Sequence, residues 1–311
     1  MSTLVNNRFQ SFTMKHQAPK LNKLLNFVIN KPGPPKRIIQ VQYDDYSKMK
    51  NDQFVWFGHS TIMLKVADKV IMVDPTFFSI MGTKHFKYTQ QLDFSSLPTI
   101  DYLLITHNHY DHLCIKSIKQ IASKVQKVIL PLQNKQFLKK IFKDSQMTEL
   151  DWFESIIQDN LTIKLLPSKH YSARGMCDKN KSLWGSYQVN DVFLSGDSGF
   201  SPDLVQKVSK SLTVRPKIAF VECGQYNLDW HDNHLLPEET NDFFNVLGAE
   251  VMVPIHFGKF CLSLHQWNEP VQELNKICDK MFVGQIGKIY DFTFVLGQKK
   301  FIDPVWDVAL K

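Results

Sequence analysis

The sequence predicts an α/β fold in which two sheets pack face to face with helices on their outer sides, an αββα sandwich. Three observations point to it. Short apolar strands and helical segments alternate in two successive series. The 311 residues, 43% of them hydrophobic, suffice for a large core. Residues able to bind metal follow several of the apolar runs, a placement expected where strands leave a core. Periodicity leaves one competitor open, a doubly wound sheet.

Residues 1–50 read as an N-terminal extension and residues 51–311 as one catalytic body. Between Lys15 and Arg37 six basic residues flank the apolar set Leu21, Leu24, Leu25, Phe27, Val28 and Ile29. This pattern predicts an amphipathic helix that packs on the body, with a membrane surface as the alternative. The cluster Lys31-Pro32-Gly33-Pro34-Pro35-Lys36 ends it, because prolines deny helix hydrogen bonds. The body opens with strands at Gln53 to Phe57, Thr61 to Val66 and Lys69 to Val73, the last two joined by an Ala67-Asp68 turn.

From Tyr102 the predicted order is strand (to Thr106), helix (Ile115 to Lys124), strand (Lys127 to Leu130) and helix (Gln133 to Lys140), then strands near Leu150 and at Leu161 to Leu166. The second series holds a hairpin of Tyr187 to Val189 with Val192 to Ser195, and a helix from Pro202. A strand at Ile218 to Glu222, a helix at Pro237 to Leu247 and a strand at Val251 to Ile255 follow. A helix from Glu269 and a closing strand near Ile289 to Val295 complete it.

Composition excludes several classes. No apolar run approaches the roughly 20 residues of a membrane span. The polar stretch after Met1 reads as no secretory signal. Five cysteines without CxxC spacing argue against a disulfide framework and for a reducing cytoplasm. The net charge of +7 is spread over 37 basic and 30 acidic residues, so it describes a solvated surface. With no basic-aromatic tract, no nucleic-acid partner is expected.

The apolar strand Tyr102-Leu103-Leu104-Ile105 runs into Thr106-His107-Asn108-His109-Tyr110-Asp111-His112. Residues two apart on an extended segment point the same way, so His107 and His109 can hold one ion. Asp111 and His112, in the following turn, can face a second. Only 11 histidines occur in the chain, and three of them fall within six positions here. Later strand ends supply further candidates. His170 follows Leu161 to Leu166, Asp197 follows Val192 to Gly196, and His256 follows Val251 to Ile255. Imidazole and carboxylate donors suit Zn2+, with Mn2+ or Fe2+ also compatible.

The HxHxDH run, His170, Ser195-Gly196-Asp197 and Pro254-Ile255-His256 together resemble the metallo-β-lactamase superfamily. That resemblance implies the αββα sandwich and a two-metal centre. His107, His109 and His170 would hold one ion, Asp111, His112 and His256 the other, and Asp197 would bridge. Flavodiiron oxidoreductases of this fold carry glutamate where His109 stands, which disfavours their chemistry. His59 and the early Asp74-Pro75 element are expected behind the ligands, orienting them.

Further matches are Trp56-Phe57-Gly58-His59-Ser60-Thr61, Asp74-Pro75, Leu183-Trp184-Gly185-Ser186 and His256-Phe257-Gly258. They resemble the branch containing N-acylphosphatidylethanolamine-hydrolysing phospholipase D, over roughly residues 53–275. In that branch the histidine matched by His234 is proposed to assist at the substrate phosphate. The implied function is a phospholipase D type phosphodiesterase, with Asp111 and His234 as catalytic candidates. The expected partners are a phospholipid or other phosphodiester and a membrane touched peripherally; a homodimer is compatible. Departures lie at Glu222-Cys223 and in the loop from Phe77 to Gln90. Cys223 reads as a buried strand-end residue, since no activating base adjoins it. Apolar pieces at Leu21 to Ile29 and Phe77 to Met81 are expected to line a lipid groove. The rival readings are a metal-dependent lactonase resembling ascorbate-6-phosphate lactonase and a metal-binding sensor without turnover.

Overall fold

Two sheets face each other, and their central strands are buried along nearly their whole length, as cover on both faces requires. The computed structural model describes residues 1–11, 29–80, 83 and 85–306. Leu21 to Val28 of the amphipathic segment, and Met81 of the expected groove, lie outside the described residues.

The first sheet contains β3 (Gln53–Trp56), β4 (Ile62–Val66), β5 (Lys69–Val73), β6 (Ile100–Leu104), β7 (Val125–Pro131), β8 (Met147–Leu150) and β16 (Ile289–Asp291), in the order β16-β3-β4-β5-β6-β7-β8. The second contains β9 (Ser155–Gln158), β10 (Leu161–Leu166), β11 (Ser186–Val189), β12 (Val192–Leu194), β13 (Ile218–Glu222), β14 (Val251–Ile255), β15 (Met281–Val283) and β17 (Lys300–Ile302), in the order β17-β15-β14-β13-β12-β11-β10-β9.

Period-two alternation separates two apolar layers. Ile62, Leu64, Ile71, Val73, Tyr102 and Leu104 point between the sheets, where Phe54 meets Phe220 edge to face at 5.0 Å. Met63, Met72, Leu103 and Ile105 point outward to Ile118 and Ile121 of helix α1 (Ile115–Ile121). The outer face of the second sheet carries α3 (Pro202–Ser211), α4 (Pro237–Leu247) and α5 (Glu269–Ile277). Helix α4 starts at Pro237 in its first turn and stops at Gly248 with φ +69°, the start and stop signals visible in the sequence.

Several boundaries differ from the sequence reading. The second helix of the first series is a short turn, α2 (Lys135–Leu138). Gln133 has φ 65°, and the Asn134 side chain donates to the Pro131 and Leu183 carbonyls, so the chain is tied to a neighbouring loop before it can coil. The closing strand ends at Asp291, and Phe292–Gly297 forms helix α6, whose Phe292 and Val295 share one buried face. The strands β9, β15 and β17 had no sequence expectation. Two lie at sheet edges, where half the backbone groups go unpaired and little apolar patterning is needed.

The described part of residues 1–50 packs on the body. A hairpin of β1 (Leu4–Val5) and β2 (Arg8–Phe9) turns through Asn6 and Asn7, both at positive φ. Phe9 is buried in the inter-sheet core, and its N–H donates to the Asn180 carbonyl at 2.7 Å. Ile39 pairs with Lys87, and the Tyr46 hydroxyl donates to the Gly287 carbonyl at 2.8 Å.

Candidate metal centre

The strands β3, β5, β6, β10, β12, β13 and β14 run the same way within their sheets, directly or through intervening antiparallel neighbours. The residues that follow their C-terminal ends therefore gather at one rim. His59, Asp74, His107, His170, Asp197 and His256 all follow such an end, and Glu222 closes β13. His59, Asp74 and His256 adopt positive φ values of 54°, 43° and 71°, a conformation costly for residues with a Cβ and commonest where a site demands it. Gly196 permits a close approach: a Cβ there would lie 2.9 Å from the Thr106 Cβ and 3.0 Å from the Gly185 carbonyl.

One donor group comprises His107, His109, His170 and Asp197. His107 Nε2 and His170 Nε2 lie 2.9 and 3.1 Å from His109 Nδ1, and each is 3.7 Å from Asp197 Oδ2. A second comprises His59, Asp111, His112 and His256. His112 Nε2 and His256 Nε2 approach Asp111 Oδ2 to 3.6 Å each, and Asp197 Oδ1 to 3.1 and 3.2 Å. Asp197 thus turns one oxygen to each group.

The arrangement fits two cations. His112 Nε2, His256 Nε2 and Asp197 Oδ1 are buried, converge on one point and have no hydrogen-bond partner, whereas buried polar atoms normally have one. Edges near 3 Å between imidazole nitrogens match a tetrahedral ion with bonds of about 2.0–2.1 Å. Electrostatics agree. Burial and neighbouring histidines hold His107 and His170 well below the usual imidazole range, and burial lowers His109 to about 4, so these rings are neutral and each has a lone pair to offer. Burial opposes ionisation of Asp111 and Asp197, yet the surrounding histidines keep both carboxyls well below the usual range. Those carboxylates overcome burial at His112 and His256 and draw protons onto them, His256 being raised to about 10. The centre demands positive charge, which protons supply when metal does not.

The outer ring nitrogens are fixed. His112 Nδ1 donates to Asp74 Oδ2 at 2.7 Å, and Asp74 is itself held by the Thr106 N–H and hydroxyl at 2.8 and 2.6 Å. His170 Nδ1 faces the Asn233 carbonyl and His256 Nδ1 the Gly224 carbonyl, each at 3.1 Å. The His59 ring backs a carboxylate: its Nε2 lies 2.9 Å from Asp111 Oδ2. The Leu-Trp-Gly-Ser element ties the rim together. Trp184 Nε1 donates to the Ser168 carbonyl, and Gly185 N–H to the Thr106 carbonyl.

His234 stands beside this centre, its ring stacked on His256 at 5.1 Å, with Nδ1 3.9 Å from Asp197 Oδ2. Its side chain is 16% exposed, against 1% for His256. The residue that sequence reasoning missed is Glu222, noticed there only as a departure. It is fully buried, and its Oε2 lies 2.9 Å from His234 Nδ1. Its place at the end of an apolar strand was the available signal. Cys223 is buried, and burial pushes its thiol well above the usual range, so it is no nucleophile.

A cavity of about 500 Å3 lies nearby, lined by Phe57, Phe77, Phe78, Phe94 and Lys259 among others. Phe77 and Phe78 come from the loop that departs from the resembled branch. Lys259 Nζ donates to the Thr76 carbonyl and the Thr76 hydroxyl to the Asp111 carbonyl, each at 2.8 Å, so one residue separates cavity wall from centre.

Residues 69–257 match the family model described as Beta-lactamase superfamily domain. An uncharacterized protein of Mycobacterium tuberculosis is 30% identical over 237 residues, covering 70% of this chain and 62% of that protein. The mitochondrial N-acyl-phosphatidylethanolamine-hydrolyzing phospholipase D of Saccharomyces cerevisiae is 29% identical, covering 75% of this chain and 54% of that protein. The corresponding phospholipase D 1 of Caenorhabditis elegans is 25% identical, covering 87% and 85%. The chain thus spans just over half to under two thirds of the mycobacterial and yeast relatives. Among solved structures, a metallo hydrolase of Ignicoccus hospitalis superposes with TM-score 0.57 at 20% identity, covering 76% of this chain and 97% of that one. A diiron beta-hydroxylase of Streptomyces venezuelae superposes with TM-score 0.59 at 17% identity, covering 78% and 55%. These two likenesses establish the αββα fold.

Proposed function

Because this chain belongs to the beta-lactamase superfamily domain family, we propose that its centre is that of a binuclear metal-dependent phosphodiesterase of phospholipase D type. The observation that carries the reading is the pair of donor groups joined through the two oxygens of Asp197. The names of the yeast and worm relatives support N-acylphosphatidylethanolamine or a related phospholipid as substrate. The aromatic cavity beside Asp111 supports an apolar substrate portion.

His107, His109 and His170 would hold one ion, Asp111, His112 and His256 the other, with Asp197 shared. The ions would supply Lewis acidity that lowers the pKa of water and offsets charge growing on phosphoryl oxygens. Asp111, fixed by His59, orients the attacking water. His234, beside the centre and partly exposed, donates to a phosphoryl oxygen or protonates the leaving oxygen. Addition of water across the phosphodiester yields phosphatidic acid and an N-acylethanolamine. No helix among the described residues is long and apolar enough to cross a membrane.

Purified protein incubated with N-acylphosphatidylethanolamine and with a lactone panel, followed by mass spectrometry and elemental analysis, tests the reading. Release of N-acylethanolamine with about two metal ions per chain is expected. Turnover of lactones alone would replace the reading by a lactonase, and full metal occupancy without turnover by a sensor.

A further inference from the structure

We infer that Glu222 is the positioning residue of His234, holding its Nδ1–H so that Nε2 is the nitrogen presented to substrate. The inference rests on the reading of His234 given above. The rest of β13, Ile218-Ala219-Phe220-Val221, is apolar and fully buried, with Phe220 lying between the sheets against Phe54. The fold itself therefore has no use for a carboxylate there, and an unpaired one would be strongly disfavoured. Each hydrogen bond to this carboxylate comes from the rim. Oε1 accepts the Ser198 N–H at 2.6 Å, next to Asp197, and Oε2 faces His234 Nδ1 at 2.9 Å. His256 Nδ1 stands 3.4 Å from Oε2, with the Gly224 carbonyl closer at 3.1 Å.

Oε1 accepts from the Ser198 N–H, which can only donate, and in the inferred pairing Oε2 accepts from His234 Nδ1–H. In Glu222→Gln, a side chain of nearly equal volume, the amide oxygen must face Ser198 and the amide N–H2 must face His234. Nδ1 can then satisfy that contact only without its proton, which moves to Nε2. The substitution exchanges the roles of the two ring nitrogens while leaving volume and the seven expected metal ligands in place.

The test uses the metal-loaded full chain in four forms: wild type, E222Q, H234N and E222Q/H234N. Imidazole 15N spectra of the wild type should show Nδ1 of His234 bearing hydrogen, and those of E222Q should show it bare. E222Q should lower kcat about 30-fold with KM within about twofold, and have less than about a twofold effect in the H234N background. Metal content by elemental analysis should match across the four proteins. An equal E222Q loss in both backgrounds, or a fall in metal content, would show that Glu222 serves the Asp197 segment and overturn the inference. A wild-type spectrum with bare Nδ1 overturns it even if E222Q fails to fold. If H234N costs nothing, the role of His234 at the phosphate fails, while the spectra still judge the Glu222 pairing.

Discussion

A carboxylate that faces two donor groups at once cannot be replaced by an amide without taking the acceptor from one of them. Asp197→Asn turns one acceptor oxygen into an N–H2 aimed at His112 and His256 or at His107 and His170. Asp197→Asn and His109→Ala are expected to abolish hydrolysis, by about 1,000-fold or more, with far-UV circular dichroism retained. Full activity in either variant would overturn the assignment of the centre. Asp74 meets His112 at Nδ1 and, through the Thr106 hydroxyl, stands behind His107 Nδ1 as well. Asp74→Asn should weaken metal affinity by about 10- to 100-fold in a chelator competition.

Lys259 offers a residue-scale test away from the donors. It is buried, and burial lowers its amine from 10.5 to about 7. The unfolded chain thus binds more protons here between pH 7 and 10.5, so this penalty is full below pH 7 and relieved as pH rises through that window. Lys259→Met removes it. The stability gap between variant and wild type should shift towards the wild type by about 1.4 kcal/mol per pH unit across the window. Parallel stability curves for the two proteins between pH 7 and 10 would show that Lys259 is not held in this way.

Among elements, the N-terminal hairpin is a brace whose single aromatic plug reaches the core. Phe9→Ala should cost about 3 kcal/mol in urea unfolding, the range for a buried phenylalanine. The extension as a whole, hairpin included, is addressed by removing residues 1–30. If it serves lipid access, turnover of vesicle-borne phospholipid should fall more than turnover of a small soluble diester. Equal losses would make the segment purely structural. Elements also show where pattern reading stops. Helix α4 carried its own signals in Pro237 and Gly248, whereas α2 was shortened by Asn134 bonding to Leu183, a partner 49 positions away.

For the whole molecule, seven donors from both sheets meet at one rim, so an ion bound there links the layers. Stripping metal with a chelator is expected to lower the melting temperature, and restoring it to recover about 3–4 kcal/mol at saturating concentration. A melting temperature indifferent to chelation would argue against a cation joining the sheets. The α/β class and the polar side chains that gather at the rim were legible because both are written locally. Burial imposes period-two or helical spacing, and His107 to His112 sit within one turn of an apolar strand's end.

What the sequence determined by itself was the set of polar residues that must stand where strands leave the core, and through resemblance the superfamily they suit. Only the tertiary structure decided how they pair. His59 meets Asp111 across 52 positions, and the buried Glu222 meets His234 across 12. Strand periodicity states which face a side chain takes, but which strand ends become neighbours depends on sheet order and on the packing of one sheet over the other.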